Sequence, residues 1–312
     1  MALRIISRSN TCAWAASIDK AAGGVRRALV AGFARLLGVR PDAPAPPSAP
    51  RSFDPRMLGL RDAVLSGWYR QETDELFSGF RISGDDVVLD VGCGLGANAT
   101  FCGARGAHVI FADADPAMVR LTEQSLRTTR ARALTPIVGD ADPLPIADGT
   151  ATRIISTEVM EHVDDPVRFL AELVRVGRPG ALYLLTVPDA LQEGLQRQVA
   201  PAAFFERPDP SAPTISGLCG GHLRTFSRDE FASLVTAAGL VIERRDYFGF
   251  YWSIWFALFW QCGVDFSAPA HPLLESWART WQILLDMPGS GDLKQTLDRF
   301  MPKSQLILAR KP

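Results

Sequence analysis

The 312-residue chain is predicted to fold as an α/β domain around a doubly wound, mostly parallel sheet. Three observations predict it. From residue 85 onward, short β-branched and apolar runs alternate with helix-length amphipathic stretches. The first run, VVLDVGCGLG at 87–96, passes into glycines at every second position, the pattern of a buried strand turning sharply into a helix. Acids then recur where the runs end, at Asp90, Asp113 and Asp140. In such a sheet, ligands lie at the carboxyl ends of the strands.

Composition narrows the function. Hydrophobic residues make up 47%, enough for a sizeable core, and the net charge is −1 with no large basic field, which argues against nucleic acid as a partner. The five cysteines (Cys12, Cys93, Cys102, Cys219, Cys262) form no CxxC pair or metal spacing and are expected to be reduced thiols in a cytoplasmic protein.

Residues 1–40 carry seven basic residues and one acid, with apolar residues recurring from Trp14 to Leu37. They are read as a loose extension, with a membrane-surface helix as the other reading. PDAPAPPSAP at 41–50 is a linker, so the folded domain is taken as 51–312. Residues 54–80 are expected to be helical from the three- and four-residue steps of Met57, Leu60, Val64, Trp68, Leu76 and Phe77. Strands are expected at 87–92, 108–113, 135–139, 152–157 and 181–187, with helices at 95–105, 116–129 and 165–176. Asp115 followed by Pro116 reads as a helix N-cap. Ser227 with Glu230 reads as a capping box for a helix over 227–239, closed by Gly239. Strands at 240–246 and 304–310 complete the pattern.

The glycine loop decides between two ligand classes. A dinucleotide would place its pyrophosphate on the helix N-terminus, but Asp90 at the lip would repel it. The spacing is also Gly-x-Gly-x-Gly, whereas dehydrogenases use Gly-x-Gly-x-x-Gly. With Asp90, Gly92, Cys93, Gly94 and Gly96, the stretch resembles the first motif of class I S-adenosylmethionine-dependent methyltransferases. Further segments support the resemblance: HVIFADADPAM, GDADPLPIADG, and STEVMEHVDDP at 156–166, which is similar to a segment of the ubiquinone-biosynthesis methyltransferases.

The resemblance covers roughly residues 80–248 plus the last ten. It implies a Rossmann-like seven-stranded sheet with the last strand antiparallel, a cofactor core at about 80–190, and S-adenosylmethionine as cofactor. Asp113, followed by Ala114, would accept from both ribose hydroxyls. Asp140 and Ala141 would read adenine, and Thr157 and Glu158 would lie near the methionine end. Tyr69 and Arg70 are candidates to touch that end too, with plain packing favoured for Tyr69. Some relatives place a divalent cation on residues equivalent to Glu158, Glu161 and His162. Here the favoured reading is no metal, with His162 a hydrogen-bonding hinge.

Acceptor residues are expected from two insertions, 189–226 and 247–303. The first is read as a loop carrying His222 and Arg224. His222 is the candidate to take a proton from an acceptor hydroxyl. Arg224 could hold an acidic acceptor group, with a structural role at least as favoured for both. The second opens with eighteen uncharged residues, YFGFYWSIWFALFWQCGV. It is read as packed core plus a lid over an apolar acceptor, with a membrane-interface contact as the rival. The reaction expected is methyl transfer to a small, apolar or lipid-linked acceptor. A nicotinamide-dinucleotide oxidoreductase and a non-catalytic binding module are the alternatives, and the sequence leaves the oligomeric state open.

Overall fold

A computed structural model of the chain describes residues 55–141, 143–206, 221–266 and 268–312. The readings of 1–50, Cys12, Cys219 and residues 207–220 of the first insertion lie outside the described residues.

A first helix, α1 (Pro55–Leu65), leads into three very short strands, β1 (Trp68–Arg70), β2 (Glu75–Phe77) and β3 (Phe80–Arg81), paired as an antiparallel meander. This corrects the single helix expected over 54–80. Positive φ at Gly67 (106°), Asp74 (57°) and Gly79 (90°) turns the chain where a helix would have to continue. Leu76, Phe77 and Phe80 are almost fully buried, so the apolar spacing reflects a covering layer and not a helix face.

The main sheet follows the expected alternation. Its elements are β4 (Val87–Val91), α2 (Ala97–Gly103), β5 (His108–Asp113), α3 (Pro116–Leu126), β6 (Ala133–Val138), β7 (Ala151–Thr157), α4 (Pro166–Val176) and β8 (Gly177–Pro188). Between the two insertions lie α6 (Arg228–Ala237) and β9 (Val241–Phe248), with α5 (Ala190–Val199) before α6 inside the first insertion, and β10 (Ser304–Arg310) follows the second. The spatial order is β6-β5-β4-β7-β8-β10-β9. β10 runs antiparallel to both β8 and β9, so six strands share one direction and the last opposes them. The local signals read from sequence are present: Asp115 caps α3 through the Ala117 amide, and the Ser227–Glu230 capping box is made in both directions.

Alternate side chains of the central strands enter two cores. Leu89, Ile110, Ile154 and Leu185 face α4 and α6, packing with Phe169, Leu173 and Phe231. Val88, Phe111, Ile155 and Leu184 face the opposite layer, with Phe101, Cys102 and the meander's Phe77 and Phe80. The first insertion is not simply a loop, because α5 and a 3-10 turn (Ala202–Phe205) occupy it. The second forms α7 (Phe250–Cys262), α8 (Pro272–Asp286) and α9 (Ser290–Phe300). These pack with α1 into a third core around Tyr251, Trp255, Phe259 and Trp281. Fully burying each such aromatic contributes about 1.5–3 kcal/mol, so this layer is a core in its own right. The aromatic run thus packs as expected, and every described aromatic on α7 is buried or half-buried. Among the described residues no helix is long and apolar enough to cross a membrane.

Candidate active site

The strand order reverses at β4, which has β5 on one side and β7 on the other. A crevice opens at the carboxyl ends of the parallel strands at such a switch point. The chain leaves β4 through Gly92, whose amide and that of Cys93 both donate to the Ala112 carbonyl at 2.8 and 3.0 Å. Gly92 has φ of +70°, and a Cβ there would fall 2.3 Å from Val159 Cγ2. At Gly94 a Cβ would meet nothing nearer than 4.0 Å, so the backbone lies bare toward the crevice. Gly92→Ala is expected to cost about 1–3 kcal/mol by overpacking and to weaken cofactor binding. Adding Val159→Ala should recover part of the loss, read as melting temperature. No recovery would show that the contact with Val159 is immaterial.

Asp90 is 1% exposed, and neither carboxylate oxygen has a side-chain hydrogen-bond partner among the described residues. Burial pushes its carboxyl up to about 7 against the opposing pull of the Ala99 backbone amide, with a small further push from the neighbouring Asp113 charge. Asp113, half-buried at the end of β5, holds the glycine loop: Gly94 N–H donates to Oδ2 and Asp115 N–H to Oδ1, each at 2.9 Å. Each of these oxygens keeps a further lone pair. Asp140 is exposed one residue beyond Gly139, whose amide donates to the Asp113 carbonyl at 3.0 Å, so the ends of β5 and β6 lie side by side. Ala114 is exposed, and Ala141 is buried with φ of +64°. The Cys93 thiol is pushed up to about 12 by burial and stays protonated, leaving its backbone as the useful part. Tyr69 O–H donates to Asn98 Oδ1 at 3.0 Å and Asn98 Nδ2 donates to Thr157 Oγ1 at 3.2 Å, joining the meander to the mouth of β7. Arg70 turns away to pair with Glu75 at 2.9 Å.

Beyond Thr157 the structure departs from the expected grouping. Glu158, with φ of +57°, pairs with Lys303 and accepts from Thr186 Oγ1 at 2.9 Å. Burial opposes its ionisation, but the Lys303 ammonium more than offsets this and holds it below the usual carboxylate range. Glu158 therefore does not join Glu161 and His162. Instead Glu161, His162 and His222 come together, one donor atom from each lying within 4.8 Å of the others. His162 does make the expected hinge bond, its Nδ1 lying 3.0 Å from the Gly221 carbonyl. His222 Nδ1 lies 3.0 Å from Glu193 Oε1, and Arg224 donates to the Asp164 carbonyl at 2.7 Å, a structural use. Glu193 and Lys303 were missed from sequence. Each lies well over a hundred residues from the glycine loop or inside a stretch read as loop, and no spacing announces it.

The glycine turn, the switch point and the strand-end acids define a nucleotide-type cofactor domain whose acid at the loop disfavours a pyrophosphate. Residues 89–185 match the family model described as a methyltransferase domain. The matched stretch lies within the six-plus-one sheet and runs from β4 through the glycine loop into β8. It is 27% identical to a chain of Mycolicibacterium smegmatis described as a "Probable S-adenosylmethionine-dependent methyltransferase" over 65% of this chain and 70% of that one. It is 30% identical to a methyltransferase of Streptomyces halstedii over 56% of this chain and 60% of that one. With an uncharacterized methyltransferase of Mycobacteroides abscessus it shares 35% identity over 32% of this chain and 39% of that one. The latter two relatives are thus spanned over less than two thirds of their length.

The residues present fit S-adenosylmethionine. A buried acid without a side-chain partner suits a cationic amino-acid moiety, and the bare backbone at Gly94 admits a ligand that an alanine would crowd.

Proposed function

We propose that the protein transfers the methyl group of S-adenosylmethionine to a small acceptor with an apolar or lipid-linked body. The observation that carries this reading is Asp90, a buried carboxylate with no side-chain partner among the described residues, one residue before the strand passes into the glycine loop. Asp113 would take the ribose hydroxyls on its remaining lone pairs, and Asp140 with Ala141 would hold adenine. Thr157, fixed by Asn98, and Glu158, fixed by Lys303, would border the methionine end. When bound, the cofactor supplies a methyl group on a sulfonium, which departs as a neutral thioether keeping the electron pair of the broken bond. The acceptor's lone pair forms the new bond, and the chain's task is alignment and exclusion of water.

The acceptor side is built from α5 and the aromatic helix α7. Phe204 lies against His222 and Trp260, with ring centroids 5.6 and 4.9 Å apart. Trp260 Nε1–H donates to Gln196 Oε1 at 2.5 Å. Buried beside this wall are polar atoms without partners among the described residues, Gln192 Oε1, Glu193 Oε2 and Gln196 Nε2. An aromatic wall against unpaired polar atoms suits an acceptor with an apolar body and a polar head. His222 would help that head lose its proton, and a lipid-linked acceptor would bring the protein to a membrane surface. Incubation with S-adenosylmethionine bearing a tritiated methyl and a cell lipid extract should label an organic-soluble product. Binding of the cofactor with no labelled product from lipid or aqueous extracts would favour a non-catalytic module.

A further inference from the structure

We infer that Glu161, His162 and His222 form a binding site for a first-row transition-metal dication on the acceptor side. Glu161 is 1% exposed, and neither of its oxygens has a hydrogen-bond partner among the described residues. The nearest basic atom is His162 Nε2 at 3.9 Å from Oε1. A carboxylate so placed is costly unless something positive or hydrogen-bonding meets it. The two imidazoles are oriented for that task. His162 Nδ1 faces a carbonyl and His222 Nδ1 faces a carboxylate, both acceptors only, so each Nδ1 carries the proton. Each Nε2 is then left with a free lone pair. Metal-binding histidines are commonly held this way, with the far nitrogen donating to a carbonyl or carboxylate. Gly221 and Glu193 supply those partners here. The rings meet edge to face with centroids 4.8 Å apart, and one donor atom from each lies within 4.8 Å of the other and of a Glu161 oxygen.

The donor set names the class of cation. Two imidazoles and one carboxylate suit zinc, cobalt, iron(II) or manganese, whereas magnesium prefers oxygens and retained water. Of the two further acids nearby that could make the site oxygen-rich, Glu158 is committed to Lys303 and Glu193 to His222 Nδ1. Three protein donors leave coordination positions open, and an acceptor hydroxyl bound there would release its proton more readily to solvent. His222 would thus act on the acceptor through the cation and not as the base itself, a role that rests on the methyl-transfer reading; the cation site does not.

The test is binding of cobalt(II) to the untagged full chain, followed by its visible absorption and by equilibrium dialysis, with magnesium in parallel. One cobalt per chain is expected, competed by zinc and not by millimolar magnesium. It should be lost in Glu161→Gln and in His222→Ala and kept in His271→Ala, which removes the separate Cys262–His271 contact. S-adenosylmethionine binding, measured on the same samples, reports folding of the variants. No cobalt bound by the wild type, equal affinity for magnesium, or retention in Glu161→Gln would each overturn the site. If the wild type binds cofactor and transfers methyl without cobalt uptake, only the cation site fails. If it takes up cobalt but binds no S-adenosylmethionine, the cation site stands and the methyltransferase reading fails.

Discussion

Asp90→Asn is expected to make the ligand-free protein more stable at pH 8 while removing most of its affinity for S-adenosylmethionine. The acid sits at the end of a central strand with its carboxyl raised from 3.8 to about 7 by burial. A carboxyl raised in the folded state favours the protonated form there. Its contribution is fully present below the unfolded value and is lost as pH rises toward the folded value, here from about 4 to about 7. A rise of that size corresponds to about 4 kcal/mol at full ionisation. Asparagine has nearly the same shape and never ionises, so the difference in melting temperature between variant and wild type should open across that window. Binding should move the other way, because the charge that strains the empty protein is what a cationic ligand needs. Loss of a charged contact costs about 1.5–3 kcal/mol, roughly ten- to a hundredfold in affinity. Thermal shift with and without S-adenosylmethionine at pH 5 and pH 8 checks both halves. A variant less stable than wild type at pH 8, or one binding as tightly, would contradict the assignment.

The second large effect is expected in the third core. Lys294 on α9 is buried, with Nζ 2.5 Å from Asp298 Oδ2, 3.2 Å from Asp62 Oδ1 and 2.6 Å from Ser66 Oγ. Asp62 also accepts from Trp281 Nε1 at 2.8 Å, and Asp298 accepts from the Phe250 amide at 2.9 Å. One ammonium therefore ties α1, the start of α7, α8 and α9 together. Lys294→Met fills similar space but leaves two buried carboxylates facing each other, and breaking such a pair costs about 3–5 kcal/mol. Burial already lifts Asp62 to about 6 against the opposing pull of Lys294. Without the lysine the carboxyl should rise further, so protonation relieves the defect at low pH. The stability gap between wild type and variant should therefore widen from pH 5 to pH 8 in urea unfolding curves. A gap that is small and independent of pH would show that the network adds little to this layer.

The sheet was legible because its signals are local. β5 and β10 end where the runs 108–113 and 304–310 end, and the caps at Asp115 and Ser227 sit where spacing put them. The meander was missed because strands of two or three residues leave no period to read, and its apolar residues fell by chance at helical intervals. α5 gives no helical signal in the sequence because its inward face is Gln192, Glu193 and Gln196, polar residues that a hydrophobic pattern never reports. The same blindness hid the acceptor side. Lys303 reaching Glu158 and Glu193 reaching His222 are pairings between distant segments, fixed by the fold and not by neighbours in sequence. The strand-end acids were readable because a parallel sheet brings consecutive strand ends to one edge.

Isothermal titration of the untagged protein at pH 8, with S-adenosylmethionine in one series and NAD in the other, probes the crevice most directly. S-adenosylmethionine should bind at one site per chain and lose most of its affinity in Asp90→Asn, while NAD gives no saturable heat. Saturable NAD binding with no response to S-adenosylmethionine would contradict the account.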